Sequence, residues 1–226
     1  MPVEEAVVLQ ELREPFDDLL SLVERRPSLR VLDVAPGGGE LSRDLEEALV
    51  PARTVSIDGA QAIASASGGE HFDLVFSSAT LHLTAGHRAV LRTLAGCLNP
   101  GGQLAIQMPA SGGHPANTIA AAVARQFGLD PRPVNILSLD DYAETLYRFG
   151  FKRQIVRMQV YGRLLPSTAD VFDCVRQTIL AAYEPSLPAP TFERFLLAYR
   201  DELRDGIRHA TPYFYADKRL QIWASM

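Results

Sequence analysis

The chain has few of the residues that mark several common kinds of protein. It contains two cysteines, Cys97 and Cys174, and neither has a close Cys or His partner at the spacing of metal ligands. We therefore expect no metal site, and we expect both cysteines to be reduced residues of the core. No apolar run reaches the roughly 18 residues needed to span a bilayer, and the acidic start of the chain does not resemble a signal peptide. The sequence thus predicts a cytoplasmic protein.

Runs of basic residues are also absent, and the formal net charge of the 226 residues is −5. Contacts to phosphate groups need clustered Lys and Arg, so this charge argues against nucleic acid as a partner. The apolar share of 47% and the charged share of 22% are ordinary for a chain that buries a sizeable core. We expect a single domain, residues 1–226, that acts on a small molecule and binds neither nucleic acid nor a membrane.

The most informative segment is a glycine-rich turn that follows an apolar run. Residues 29–35 have the pattern of a buried strand, and Gly37, Gly38 and Gly39 come directly after it. Glycine can take positive φ and has no Cβ, so a ligand can approach the main chain closely. The leucines of residues 41–49 then recur at helical spacing, so the first N–H groups of that helix face the same place. The pattern predicts a strand, turn and helix that hold a nucleotide-like cofactor.

The residues around this turn indicate which cofactor it suits. A dinucleotide fingerprint needs a small residue where Ser42 stands, and a phosphate-binding loop needs a lysine where Glu40 stands. Polyphosphate is therefore disfavoured. Asp33 and Glu40 instead suit a ligand with an ammonium or sulfonium group, because opposite charges attract in a partly dry cleft. A tight turn without any ligand is the alternative interpretation.

Three segments in the same order resemble the class I S-adenosylmethionine-dependent methyltransferases. Residues 33–39 resemble the first motif of that family, with Ala35 in the place of its first glycine. Residues 72–82 resemble the fourth strand of the family and the segment after it, and residues 98–109 resemble the turn into its fifth strand. Within the family, residues 105–110 and the C-terminal residues 212–224 are most similar to the trans-aconitate methyltransferase branch, whose members methylate small acids.

The resemblance implies a Rossmann-like α/β sheet, mostly parallel with an antiparallel last strand, and a helical cap over residues 165–210 before that strand. It also implies S-adenosylmethionine as cofactor and methyl transfer, by in-line displacement, to a carboxylate or hydroxyl of a small metabolite. Asp33 and Ser77 would flank the amino acid part of the cofactor, and Asp58 would bind its ribose. The full set of cofactor-binding residues that the resemblance implies is Asp33, Ala35, Pro36, Gly37, Gly38, Gly39, Asp58, Gly59 and Ser77.

The chain departs from this family between Asp58 and Phe72. Residues 59–71 leave room for one short helix, where the family has a helix, an edge strand and their loops. We therefore expect either the edge strand, or the second strand and its helix, to be missing. The shortened edge is a candidate surface for a second copy or a protein partner. Asp58 either ends the second strand and accepts bonds from the ribose hydroxyls, or belongs to the third strand beside the adenine. Its spacing from Gly39 favours the ribose.

His82 is the candidate catalytic residue, because it follows the segment that resembles the fourth strand. It could act as general base for a hydroxyl acceptor, whereas a carboxylate acceptor is already ionised and needs no base. A histidine that only packs or faces water is the alternative. Two other functions stay open: an inactive methyltransferase-like protein that serves as a binding or assembly partner, and non-methyl chemistry with the same cofactor.

Periodicity and turn residues predict the remaining elements. The predicted helices are residues 15–26, 41–49, 84–98, 116–127, 138–150, 167–183 and one that carries the aromatic stripe of Phe192, Phe195 and Tyr199. The predicted strands are residues 29–35, 53–58, 72–77, 102–108, 151–164 and 220–226, and residues 99–102 have the composition of a turn. Ser138 and Ser167 each begin a capping box.

Overall fold

The computed structural model of the chain describes residues 3–34, 39–58, 69–131 and 136–226. Its strands are β1 Arg30–Val34, β2 Arg53–Ile57, β3 Phe72–Ser78, β4 Leu98–Pro109, β5 Arg153–Leu165 and β6 Tyr213–Ser225. Its helices are α1 Val3–Leu22, α2 Glu40–Leu49, α3 His87–Gly96, α4 Pro115–Gln126, α5 Leu139–Arg148, α6 Val171–Val175 and α7 Ala189–Gly206. The strands form one sheet in the order β2-β1-β3-β4-β6-β5.

The direction of the strands confirms the predicted fold class. β1 is parallel to both β2 and β3, β3 is parallel to β4, and β6 is antiparallel to β4. β2 lies at the edge of the sheet in the part of the chain that the structure describes. Residues 59–68, where the family has further elements, lie outside that part. The sheet is thus mostly parallel with an antiparallel last strand, as predicted.

Alternate residues of the central strands face two separate apolar clusters. Leu32 and Val34 lie in one cluster with residues of α3 and α5, whereas Val31 lies in the other with residues of α1 and α2. Because side chains alternate across a strand, a sheet with helices on both faces needs apolar residues at successive positions. This requirement explains why Val31, Leu32 and Val34 of β1 are all apolar and buried.

The described chain divides into two compact units. The first comprises residues 1–110, 135–159 and 219–226, and the second comprises residues 111–134 and 160–218. The second unit has its own core, in which the predicted stripe of Phe192, Phe195 and Tyr199 on α7 is buried. None of the helices in the described ranges has both the length and the apolar character needed to cross a bilayer.

The predicted capping box at Ser167 is confirmed by both of its hydrogen bonds, whereas at Ser138 only the bond to the hydroxyl is formed. The hydroxyl of Ser138 accepts a bond from the N–H of Asp141 at 3.1 Å and begins α5. Ser167 and Asp170 exchange reciprocal bonds at the start of a 3₁₀ turn. The expected single helix to Tyr183 is wrong, because α6 is followed by a π-helical turn and a second 3₁₀ turn that contains Pro185.

Three other predictions of element bounds are wrong. Helix α1 begins at Val3 and runs through Pro15, although proline cannot donate the usual backbone bond. Residues 99–102 do not form a separate turn, because they lie within β4 as a bulge between the pairs Phe72↔Leu98 and Leu74↔Gln103. Gly101 takes φ +74° there, which lets the chain bulge locally while pairing with β3 resumes. Strand β6 begins at Tyr213, before the expected residue 220.

Candidate active site

Asp33 connects the end of β1 to the first turn of α2. Its side chain is buried, and its Oδ2 accepts a hydrogen bond from Ser42 Oγ at 2.5 Å. Burial raises the pKa of this carboxyl, while the Ser42 hydroxyl lowers it. Residues 35–38, which include Ala35, Pro36, Gly37 and Gly38, lie outside the described part of the chain. The Asp33–Ser42 bond therefore fixes the two elements that flank the glycine-rich turn.

Gly39 is the residue at which α2 begins, and it leaves the start of the helix open. It is extended, with φ −74° and ψ −167°, and no side chain caps the helix. A Cβ built on Gly39 would have no described atom within 4 Å. The first N–H groups of a helix have no partner within the helix and carry partial positive charge. With respect to the described residues, this position therefore offers backbone donors and open space at the start of α2.

Asp58 directly follows β2 and is exposed. Strand β2 pairs with β1, with Val34 opposite Ile57, so Asp58 continues the strand next to the glycine-rich turn. This placement agrees with the favoured alternative, in which Asp58 ends the second strand. Gly59 lies outside the described residues.

Ser77 lies on the other side of β1. It is fully buried, and its hydroxyl donates to the carbonyl oxygen of Val34 at 3.2 Å. The chain passes from β1 to β2 on one side, and β3 lies on the other side, so the strand order reverses between β1 and β3. Ligands of open α/β sheets bind beyond the carboxyl ends of strands at such a point. Asp33, Asp58 and Ser77 all lie at these strand ends.

His82 lies in a 3₁₀ turn, Leu81–Leu83, that follows β3. Its Nδ1 is buried and has no hydrogen-bond partner among the described residues. Burial, together with the charges of Arg219 and the neighbouring His87, lowers the pKa of His82 to about 4. The imidazole is therefore neutral at physiological pH. It can donate or accept a hydrogen bond, but it is a weak base.

His87 has a structural role beside this turn. It is buried, its Nδ1 is hydrogen-bonded to the hydroxyl of Tyr142, and its Nε2 lies 2.9 Å from the carbonyl oxygen of Leu81. Since both ring nitrogens have partners within the protein, His87 holds the turn that carries His82.

A second set of buried polar residues was missed by the sequence analysis. Gln107 of β4 donates through Nε2 to Ser78 Oγ at 2.8 Å, and its Oε1 is buried without a partner among the described residues. Gln107 pairs with Gln221 of β6, and Arg219 lies two residues earlier on the same strand. Gln107, Gln221 and Arg219 are all buried. The signal for them was polar residues next to apolar ones, as in the runs around Gln107 of β4 and around Arg219 and Gln221 of β6.

Comparison with known proteins gives a consistent result. A family model described as a methyltransferase domain matches residues 8–154. The trans-aconitate 2-methyltransferase of Deinococcus radiodurans is 27% identical over 217 residues, which cover 84% of this chain and 84% of that protein. The protein of the same name from Streptomyces avermitilis is 29% identical, with 85% and 83% covered.

Solved structures show the same fold. A putative methyltransferase from Bacillus halodurans aligns with a TM-score of 0.58 at 16% identity, over 93% of this chain and 97% of that one. Phosphoethanolamine N-methyltransferase 2 of Haemonchus contortus, solved with S-adenosyl-L-methionine, aligns with a TM-score of 0.52 at 13% identity, over 94% of this chain and 52% of that one.

Proposed function

Because the chain belongs to the methyltransferase domain family and has the class I fold, we propose that it transfers a methyl group from S-adenosylmethionine to a carboxylate of a small acid. The observation that carries the proposal is the match to trans-aconitate 2-methyltransferases over most of both chains. The alternative of an inactive protein that serves as a binding partner is not favoured by these comparisons.

The polar groups at the strand ends fit this cofactor. S-adenosylmethionine supplies an electrophilic methyl group on a sulfonium when it is bound. Asp58 would accept bonds from the two ribose hydroxyls, and Gly39 leaves space beside the start of α2. Asp33 and Ser77 would flank the amino acid part, with Asp33 held in place by Ser42. The remaining residues assigned to the cofactor are Ala35, Pro36, Gly37, Gly38 and Gly59.

The protonation state of His82 favours a carboxylate acceptor over a hydroxyl. A general base works best when its pKa is near the operating pH, and the pKa of His82 is about 4. A carboxylate is ionised at neutral pH without help. The chain then has only to align the acceptor oxygen with the methyl group and exclude water, and such orientation can contribute roughly 7 to 11 kcal/mol.

The proposal is tested by incubating the chain with S-adenosylmethionine labelled in its methyl group. We expect trans-aconitate, or another small di- or tricarboxylate, to gain the label as a methyl ester that mild alkali releases. The trimethyl ester of trans-aconitate is the control, because it has no free carboxylate. Binding of the cofactor without labelling of any acid would contradict the proposed acceptor. Absence of cofactor binding would contradict methyl transfer itself and support the inactive alternative.

Replacing His82 by asparagine should lower kcat by less than about 10-fold. Loss of a true general base lowers kcat by a factor of roughly 10² to 10⁴. The pKa of His82 is lowered, so the imidazole of the folded protein gains its proton only as the pH falls toward about 4. We therefore expect kcat of the unmodified chain to be constant between about pH 6 and 8. His71→Asn is the matched control, because His71 is exposed. A kcat that falls with an apparent pKa near 6.5, and loses that dependence in His82→Asn, would show that His82 is a base.

A further inference from the structure

A row of polar side chains crosses three strands on the sheet face that α1 covers. Gln107 lies opposite Ser78 on β3 and opposite Gln221 on β6. The amide nitrogen of Gln221 donates to the carbonyl oxygen of Pro15 in α1 at 3.3 Å, which identifies this face. Side chains two residues apart on a strand share a face, so Arg219 lies on it as well, opposite Pro109. The row thus continues toward the carboxyl ends of β3 and β4.

Arg219 places a buried positive charge at this end of the row. Its exposed fraction is 5%, and its charge acts on His82 after β3. The acids Asp33 and Asp58 lie at the ends of β1 and β2, on the other side of β3. With about 4.8 Å between neighbouring strands, β3 and β6 are about 10 Å apart. The ends of β1 and β2 therefore carry negative charge, where a sulfonium would lie. At the same edge of the sheet, β6 carries positive charge, two strands away from β3.

Two buried polar atoms have no hydrogen-bond partner among the described residues. They are Nδ1 of His82, on which the charge of Arg219 acts, and Oε1 of Gln107, on the strand that pairs with that of Arg219. Buried polar atoms in native proteins are nearly always bonded to protein, water or ligand. The hydroxyl of Ser78 can donate as well as accept, so the Gln107 amide can turn and present its NH₂ group instead. Both side chains can then donate to an anion.

We propose that Arg219, assisted by Gln107, binds a second carboxylate of the acceptor, one that is not methylated, and so selects acids with two or more carboxylates. This inference rests on the proposed function. A guanidinium has five N–H donors, so Arg219 can keep its contacts within the chain and still bind a carboxylate through two parallel bonds. The distance of about 10 Å between β3 and β6 leaves room for a short carbon chain between that carboxylate and the reacting one.

The test compares binding of trans-aconitate and its neutral trimethyl ester by calorimetry, with S-adenosylhomocysteine present so that no reaction occurs. We expect the unmodified chain to prefer the acid, and Arg219→Gln to reduce that preference by about 10-fold or more, the size expected for a lost charge-assisted pair. Affinity for S-adenosylhomocysteine should change by less than about 2-fold, because Arg219 lies on β6, two strands away from the nearest strand that carries a residue assigned to the cofactor. Arg219→Lys should restore part of the preference, since it keeps the charge without the planar fork.

Arg148→Gln is the matched control, because it removes the same charge from a side chain that is 71% exposed and paired with Glu144. This variant should leave the preference for trans-aconitate and the affinity for S-adenosylhomocysteine unchanged. If Arg219→Gln does not fold, Arg219→Lys carries the test through its weakened preference for the acid. The inference is wrong if both Arg219 variants keep the full preference, or if the unmodified chain binds S-adenosylhomocysteine but none of a series of small polycarboxylates. A chain that binds neither ligand contradicts the proposed function and this inference together.

Discussion

Replacing Asp58 by alanine should weaken binding of S-adenosylmethionine by about 100-fold or more. Each hydrogen bond from a ribose hydroxyl to a carboxylate contributes about 1.5 to 3 kcal/mol, and Asp58 can accept two. Every 1.4 kcal/mol corresponds to about 10-fold in affinity, so loss of both bonds gives the expected change. Isothermal titration of the unmodified chain and the Asp58→Ala variant measures it directly.

The variant should fold normally, because Asp58 is exposed and directly follows the edge strand β2. Glu47→Ala is the matched control: it removes an exposed acid from α2 and should leave cofactor affinity unchanged. Asp58→Asn should bind with intermediate affinity, since an amide oxygen still accepts a hydrogen bond but lacks the charge. Equal affinities of the unmodified chain and Asp58→Ala would show that the ribose is bound elsewhere.

The elements predicted best are those whose signal is local. The apolar residues of β1 and the leucines of α2 lie within a short stretch, and the predicted bounds of these two elements agree with the structure to within a residue. The capping signals at Ser138 and Ser167 are equally local, because each needs only a hydroxyl and an acid three residues later.

The elements predicted poorly depend on pairing between distant segments. Residues 99–102 have turn composition, yet whether such residues form a turn or a bulge is decided by the partner strand, here β3. The length of β6 likewise depends on how far pairing extends along the sheet. Neither property can be obtained from the local pattern of apolar and polar residues.

The residues of the candidate site also divide into those with a local signal in the sequence and those that depend on pairing between distant segments. Asp33 was predicted from its place beside the glycine-rich turn, and Asp58 and Ser77 were implied by the resemblance to the methyltransferase family. The structure places all three at strand ends, where ligands of such sheets bind. The interaction of Asp33 with Ser42 was missed, because Ser42 was considered only as a residue too large for a dinucleotide fold. Gln107 and Arg219 were missed because only the antiparallel pairing of β4 with β6 places them on neighbouring strands.

Replacing Phe76 by alanine should lower the free energy of unfolding of the chain by about 3 to 5 kcal/mol, the usual loss for a buried phenylalanine. Phe76 is 1% exposed, and its ring lies edge-on to that of Phe16 in α1, with 5.4 Å between the ring centroids. It also lies on β3 between Asp33 of β1 and Ala105 of β4. Since a domain of this kind is stable by about 5 to 15 kcal/mol, the change is a large share of the total. Urea denaturation followed by circular dichroism measures it.

Phe214→Ala is the control for Phe76, because the Phe214 side chain is 60% exposed and its loss should change stability by about 1 kcal/mol or less. The double variant Phe16→Ala with Phe76→Ala separates the ring contact from simple burial. Aromatic pairs contribute about 0.5 to 1.5 kcal/mol beyond the area that they bury, so the double variant should lose less than the sum of the two single losses by that amount. If the loss of stability in the double variant equals the sum of the two single losses, Phe16 and Phe76 contribute to stability independently of each other. A loss of less than about 1 kcal/mol in Phe76→Ala would mean that α1 does not pack on the strand that carries Ser77.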